Sequence, residues 1–133
     1  SNKKCTCKIE IDMSAKEIVE NFYKSAGILS KSYCLEILHE DVILEWYSSK
    51  GLLTLDFNDI LALSKDLKHS YFSLTTQIDQ VLAEGDTVTI RYSFYVRTFE
   101  NPEEELILAV FFTVWEVKDG KLYKGYQMSQ LLN

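Results

Sequence analysis

From Leu106 to Trp115 the chain reads Leu-Ile-Leu-Ala-Val-Phe-Phe-Thr-Val-Trp, uncharged and mostly β-branched or aromatic. Such residues favour extended backbone. A strand sends alternate side chains to opposite faces. One face would carry Ile107, Ala109, Phe111, Thr113 and Trp115, and the other Leu106, Leu108, Val110, Phe112 and Val114. A sheet with one wet face should alternate apolar and polar residues, so both faces of this strand need cover. Helices can cover one. A second copy of the chain is expected over the other, with Val110, Phe112 and Val114 at the interface of a homodimer. The run falls well short of the roughly 20 residues that span a bilayer as a helix, and no membrane partner is expected.

The neighbouring segments read as partners for this strand. Thr87 to Phe99 alternates, with Val88, Ile90, Tyr92, Phe94 and Val96 on one side and Thr89, Arg91, Ser93, Tyr95 and Arg97 on the other. Tyr71 to Ala83 precedes it across the turn Glu84-Gly85-Asp86. Glu100-Asn101-Pro102 reverses the chain into Leu106 to Lys118, and Asp119-Gly120 is a hairpin signal before Leu122 to Gln130. Four long strands joined by short turns make an antiparallel meander. Asp79 and Glu45 are expected on its outer face, in a charge ladder with Arg91, Arg97 and Glu116.

The first half is helical in pattern. Ser14 and Glu17 have the spacing of a capping box, and Met13 and Ile18 that of a hydrophobic staple. Ala15, Ile18, Val19, Phe22, Tyr23 and Ala26 then share one face, and Gly27 is read as the stop. A shorter helix fits Ser30 to Leu38, with Cys34 as a small core residue. Val42 to Tyr47 reads as a strand and Gly51 as a turn. Asn58 is the expected cap of a third helix through about Leu67, with Ile60, Leu61, Ser64 and Leu67 as its stripe. Helices first and strands last give an α+β fold with helices on one sheet face. The only proline is Pro102 and no Pro/Gly/Ser linker interrupts the chain, so one domain is expected over 14–133. Residues 1–13 are read as a tail, with Ser1 and Asn2 as a candidate expression scar.

Lys plus Arg number 14 against 20 Asp plus Glu, a net charge of −6, which repels a phosphate backbone. With no basic run interleaved with aromatics, no nucleic acid is expected as a partner. Cys5, Cys7 and Cys34 are read as reduced thiols, and a cytoplasmic location is the default. Cys5-Thr6-Cys7 is a lone C-x-C without further ligands, so no metal is expected. No Gly-rich phosphate loop or nucleophile triad is present, and no cofactor is called for.

Glu40-Asp41-Val42, then Ala83-Glu84-Gly85-Asp86-Thr87-Val88, then Val114-Trp115-Glu116-Val117-Lys118-Asp119-Gly120-Lys121-Leu122 follow in an order that resembles the nuclear transport factor 2-like (cystatin-like) superfamily. Within it the chain resembles small bacterial polyketide cyclase-like and ketosteroid isomerase-like proteins, from Ser14 to Leu132. The resemblance implies a cone-shaped, curved, mostly antiparallel sheet with three helices on its concave face. It also implies a pocket in the cone and pairing through the outer sheet. The expected pocket residues are Phe22, Tyr23, Trp46, Tyr92, Thr113, Trp115 and Tyr126.

The acid–base positions that the resemblance implies are not acids. Alignment through Glu40-Asp41-Val42 places the isomerase's base at Trp46, its protonated aspartic acid at Thr113 and its tyrosine at Phe22 or Tyr23. Alignment through Asp119-Gly120-Lys121 places the cyclase's aspartate at Gln130. No catalytic residue is therefore assigned, and neither chemistry is expected. His69 is read first as an exposed loop histidine and second as the one candidate base. The expected function is binding of a small, largely apolar molecule in the cone. Two alternatives stay open: a non-catalytic dimeric interaction module, and an isomerase, cyclase or hydrolase with a non-standard base such as His69.

Overall fold

Ser14 closes its capping box: its backbone N–H donates to Glu17 Oε1 at 3.0 Å, and the Glu17 N–H donates to Ser14 Oγ at 3.1 Å. Two orphan amides are thereby satisfied, and helix α1 runs Ala15–Lys24 with Ile18, Val19, Phe22 and Tyr23 buried. This is a computed structural model, which describes residues 13–132. The expected tail, with Cys5 and Cys7, lies outside the described residues except for Met13.

Helix α1 ends earlier than its apolar stripe. Ala26, not Gly27, takes the left-handed conformation (φ 53°). Gly27 serves close approach instead, since a Cβ there would lie 2.9 Å from the Phe22 carbonyl oxygen. A 3-10 turn, Gly27–Leu29, leads into α2, Lys31–Ile37, capped by Ser30. Cys34 is fully buried, with Sγ 3.4 Å from the Gly27 carbonyl oxygen. Burial pushes its thiol pKa up, which suits a core residue better than a nucleophile.

Strand β1, Leu38–Ser48, starts four residues before the expected point, and β2, Gly51–Leu55, pairs back on it across the turn that Gly51 (φ 100°) closes. Helix α3, Phe57–Ser70, is capped by Asp56 rather than Asn58, in a box with Asp59, and runs three residues past Leu67. Then follow β3, Ser73–Glu84; β4, Thr87–Arg97; β5, Leu106–Lys118; and β6, Lys121–Leu131.

The six strands form one curved sheet in the order β2-β1-β6-β5-β4-β3. Every pairing is antiparallel except β1 on β6. The helices pack on one face, α1 over β3 and β4 and α3 over β1 and β2. This is the α+β fold expected, with a parallel pair added. No helix among the described residues is long and apolar enough to cross a membrane.

Two bulges redirect side chains. In β5, Phe94 faces Ala109 but Tyr95 faces Ile107, so Leu108 is an extra residue. The expected parity fails beyond it: Leu108 turns to the helix side, and Ile107 stands opposite outward-facing Tyr95. In β6, Glu116 faces Lys124 but Val117 faces Leu122, so Tyr123 is extra. Counting by twos from buried Leu122 would send Tyr126 inward; the bulge sends Gly125, Gln127 and Ser129 inward instead. Of the charge ladder, Arg91 approaches Asp79 at 3.7 Å, while Arg97 donates to the Pro102 carbonyl.

Candidate functional site

The helix-side face of the sheet is laid out in rows. Leu44, Gly125, Trp115 and Val88 form one; Trp46, Gln127, Thr113 and Ile90 the next; Ser129, Phe111 and Tyr92 the third; Leu131, Ala109 and Phe94 the fourth. The rows mix bulky side chains with Gly125, Ser129 and Ala109, and α1 and α3 do not close over them completely. A cavity of about 330 Å³ remains. Its floor is Tyr92, Phe94, Phe111 and Trp115. Phe22 and Tyr23 come from α1, Ile60, Leu63 and Leu67 from α3, and Ser48, Ser49 and Lys50 stand at the β1–β2 turn.

Ring-on-ring contacts tie the floor together. Tyr92 stacks on Phe111 with centroids 4.8 Å apart and planes 5° from parallel. Phe94 and Tyr23 lean on the same pair at 4.7 and 4.4 Å. Such contacts add to simple area burial.

The polar atoms lie along one side. Trp115 Nε1 donates to Tyr23 Oη at 2.9 Å. Tyr92 Oη lies 3.0 Å from Thr113 Oγ1 and donates to Gln127 Oε1 at 3.2 Å; Thr113 Oγ1 donates to the same oxygen at 3.0 Å. Trp46 Nε1 donates to Ser129 Oγ at 2.7 Å. Burial pushes the Tyr92 hydroxyl well above the usual tyrosine range, and adjacent Tyr23 adds to the shift. Burial also raises Tyr23, against hydrogen bonds with Tyr92, Trp115 and Thr113. Both hydroxyls therefore stay protonated and act as hydrogen-bonding groups, not bases.

Of the residues expected at the pocket, Phe22, Tyr23, Trp46, Tyr92 and Trp115 line the cavity. Thr113 faces inward but is fully enclosed, held between Tyr92 and Gln127, and does not reach the space. Tyr126 is a correction: it lies on the outer face between Glu45 and Val114, 40% exposed, because of the bulge at Tyr123. Gln130 also points outward, opposite Val110. His69 sits in the last turn of α3 rather than in a loop. It is exposed and faces a shallow groove with Lys31, Lys65 and Lys68, away from the cavity.

Gln127 and Ser129 were not singled out by sequence. The sequence signal for them is Gly125: its small size matches the wide Trp115 opposite and fixes β6's parity from there on. Val110, Phe112 and Val114 lie on the outer face, as do Tyr47, Tyr126 and Met128. Among the described residues, no three His, Cys, Asp or Glu side chains converge to hold a metal ion.

No protein-family model and no curated protein sequence matches the chain. Solved structures do. IdmH, a candidate polyketide cyclase from Streptomyces antibioticus, superposes with a TM-score of 0.71 at 12% identity, over 88% of this chain and 92% of that one. A candidate SnoaL-like polyketide cyclase from Jannaschia sp. CCS1 gives 0.66 at 11% identity, over 92% and 91%. A nuclear transport factor 2-like protein of unknown function from Burkholderia pseudomallei gives 0.63 at 15% identity, over 86% and 90%. At these identities the likeness is one of architecture, and the chain has the nuclear transport factor 2-like fold.

Proposed function

We propose that the protein binds a small, flat, largely apolar molecule in the cavity between the helices and the sheet. The observation that carries this reading is the cavity itself, about 330 Å³ with an aromatic floor and a few polar atoms on one side. Core side chains ordinarily interlock without such space, and apolar hollows with few polar groups suit small ligands. Ala109 is small, 3% exposed and part of the wall. Fluorene should therefore change the emission of Trp46 and Trp115 and raise Tm. Ala109→Phe puts a ring into the space and should weaken that binding at least about tenfold, the scale of one buried apolar group. Unchanged affinity in Ala109→Phe would remove the cavity as the binding site.

The protein is also proposed to act as a homodimer through the outer sheet face. Leu52, Tyr47, Met128 and Phe112 stand opposite one another on successive strands, and each is 45% exposed or more. A two-fold axis through this row lets one apolar face cover its own copy. Phe112→Asp should then give a monomer or an aggregate by light scattering. A wild type that is monomeric at micromolar concentration would refute the pairing.

A further inference from the structure

Helix α3 presents two different faces. Ile60, Leu63 and Leu67 line the cavity, whereas Leu61, Lys65 and Lys68 look the other way. There they form a groove with Leu29 and Lys31, from the junction of the 3-10 turn with α2. Leu29 and Leu61 are half-buried and give the groove an apolar floor. Lys31, Lys65, Lys68 and His69 are exposed along it. By the rise of an α-helix, Leu61 to His69 spans about 12 Å.

In a chain of net charge −6 the groove reverses the local sign. No Asp or Glu lines it, and Asp66, between the lysines in sequence, is not on this face. The ammonium groups of Lys31, Lys65 and Lys68 have no ion-pair or hydrogen-bond partner among the described residues. Helix stability explains only part of the cluster. Lys68 and His69 lie in the last turn of α3, where the helix dipole favours a cation. Lys65 is a turn further back, and Lys31 is the first residue of α2, where the dipole opposes a cation. Lys65 and Lys68, three apart on one helix face, also repel each other. A partner that brings negative charge relieves both costs.

We infer that this groove docks an acidic, amphipathic peptide segment of a partner protein, with carboxylates on Lys31, Lys65 and Lys68 and an apolar side chain on Leu29 and Leu61. A small free polyanion would meet the lysines but leave the apolar floor uncovered. A nucleic-acid backbone would be repelled by the acidic remainder of the surface. The groove lies on the opposite face of α3 from the cavity, so the inference does not depend on the ligand site proposed above.

Two short fluorescein-labelled peptides test it, one built of Glu and Leu and the other with Gln in place of every Glu. At low salt the wild type should bind the Glu peptide about tenfold more tightly, the scale of three exposed ion pairs acting together. The difference should fade in about 1 M salt. Lys65→Glu with Lys68→Glu should abolish the preference, and Lys31→Glu, on a different helix, should weaken it severalfold. Lys16→Glu, an equal charge reversal on exposed α1 surface, should leave it unchanged. Should the reversed pair fail to fold by circular dichroism, Lys65→Gln with Lys68→Gln takes its place. Equal wild-type affinities, a preference that survives the paired substitution, or one that Lys16→Glu removes as well would overturn the inference. So would tripolyphosphate bound as tightly as the Glu peptide, which would make the groove a plain anion site. Light scattering in which the lysine variants break up a wild-type oligomer would make a second copy the occupant and would overturn it too.

Discussion

Trp115→Ala is expected to destabilise the protein by about 3–5 kcal/mol and to lower Tm by roughly 10–20 °C. Trp115 is 3% exposed. Its ring lies against Gly125 so closely that a Cβ there would be 2.7 Å from Cζ3 and 2.8 Å from Cη2. Neighbouring strands therefore cannot move in to refill the space without breaking their ladder. The new void would merge with the existing cavity, so the walls lose contacts on a second side. Tyr23 Oη would also lose its donor. Trp115→Phe keeps much of the ring and loses the N–H, so it should cost less, about 1–2 kcal/mol. Urea unfolding of the three proteins reads these differences. A Trp115→Ala midpoint within error of wild type would show that the sheet does not depend on this contact.

How far the sequence shows the fold depends on whether pairing is local. The capping box of Ser14 and Glu17, the alternation of β4 and the turns at Glu84-Gly85-Asp86 and Asp119-Gly120 are set by neighbours in the chain. The structure has each of them. The parallel pairing of β1 with β6 joins residues far apart in sequence, and nothing local announces it. The short β2 carries little pattern of its own and exists because β1 offers it an edge.

The candidate site suffers most from this. Five expected cavity residues sit on α1, β1, β4 and β5, where local periodicity holds. Tyr126 was misplaced because one extra residue at Tyr123 inverts β6, and no glycine or proline marks the bulge. The same inversion hid Gln127 and Ser129. Leu108 was lost to the cavity side in the same way in β5. Side-chain parity is a cumulative count, so a single unmarked bulge moves every later residue to the other face.

Neither a 3-oxo-Δ5-steroid nor a polyketide-type ester is expected to be turned over. Proton abstraction beside a carbonyl needs a base within hydrogen-bond reach, and such help is worth about 10²- to 10⁴-fold. No Asp, Glu or His lines the cavity. Trp46, at the position the isomerase resemblance gives to the base, spends its N–H on Ser129 and has no lone pair to take a proton. Thr113, at the position of the protonated acid, is enclosed within the tyrosine network. Gln130, at the cyclase position, faces outward opposite Val110. Tyr23 and Tyr92 are held neutral by burial and engaged in the network with Trp115, Thr113 and Gln127, so neither abstracts a proton beside a carbonyl. The cavity lining thus offers no base for either chemistry. The measurement is product formation from both substrates with wild type, His69→Ala and no protein. All three should agree, because His69 faces the groove beside Lys65 and Lys68 rather than the cavity. Saturable turnover by wild type that His69→Ala abolishes would identify a base across a distance this structure does not bridge. Turnover that survives His69→Ala would mean that a residue without a free basic atom here gains one on binding.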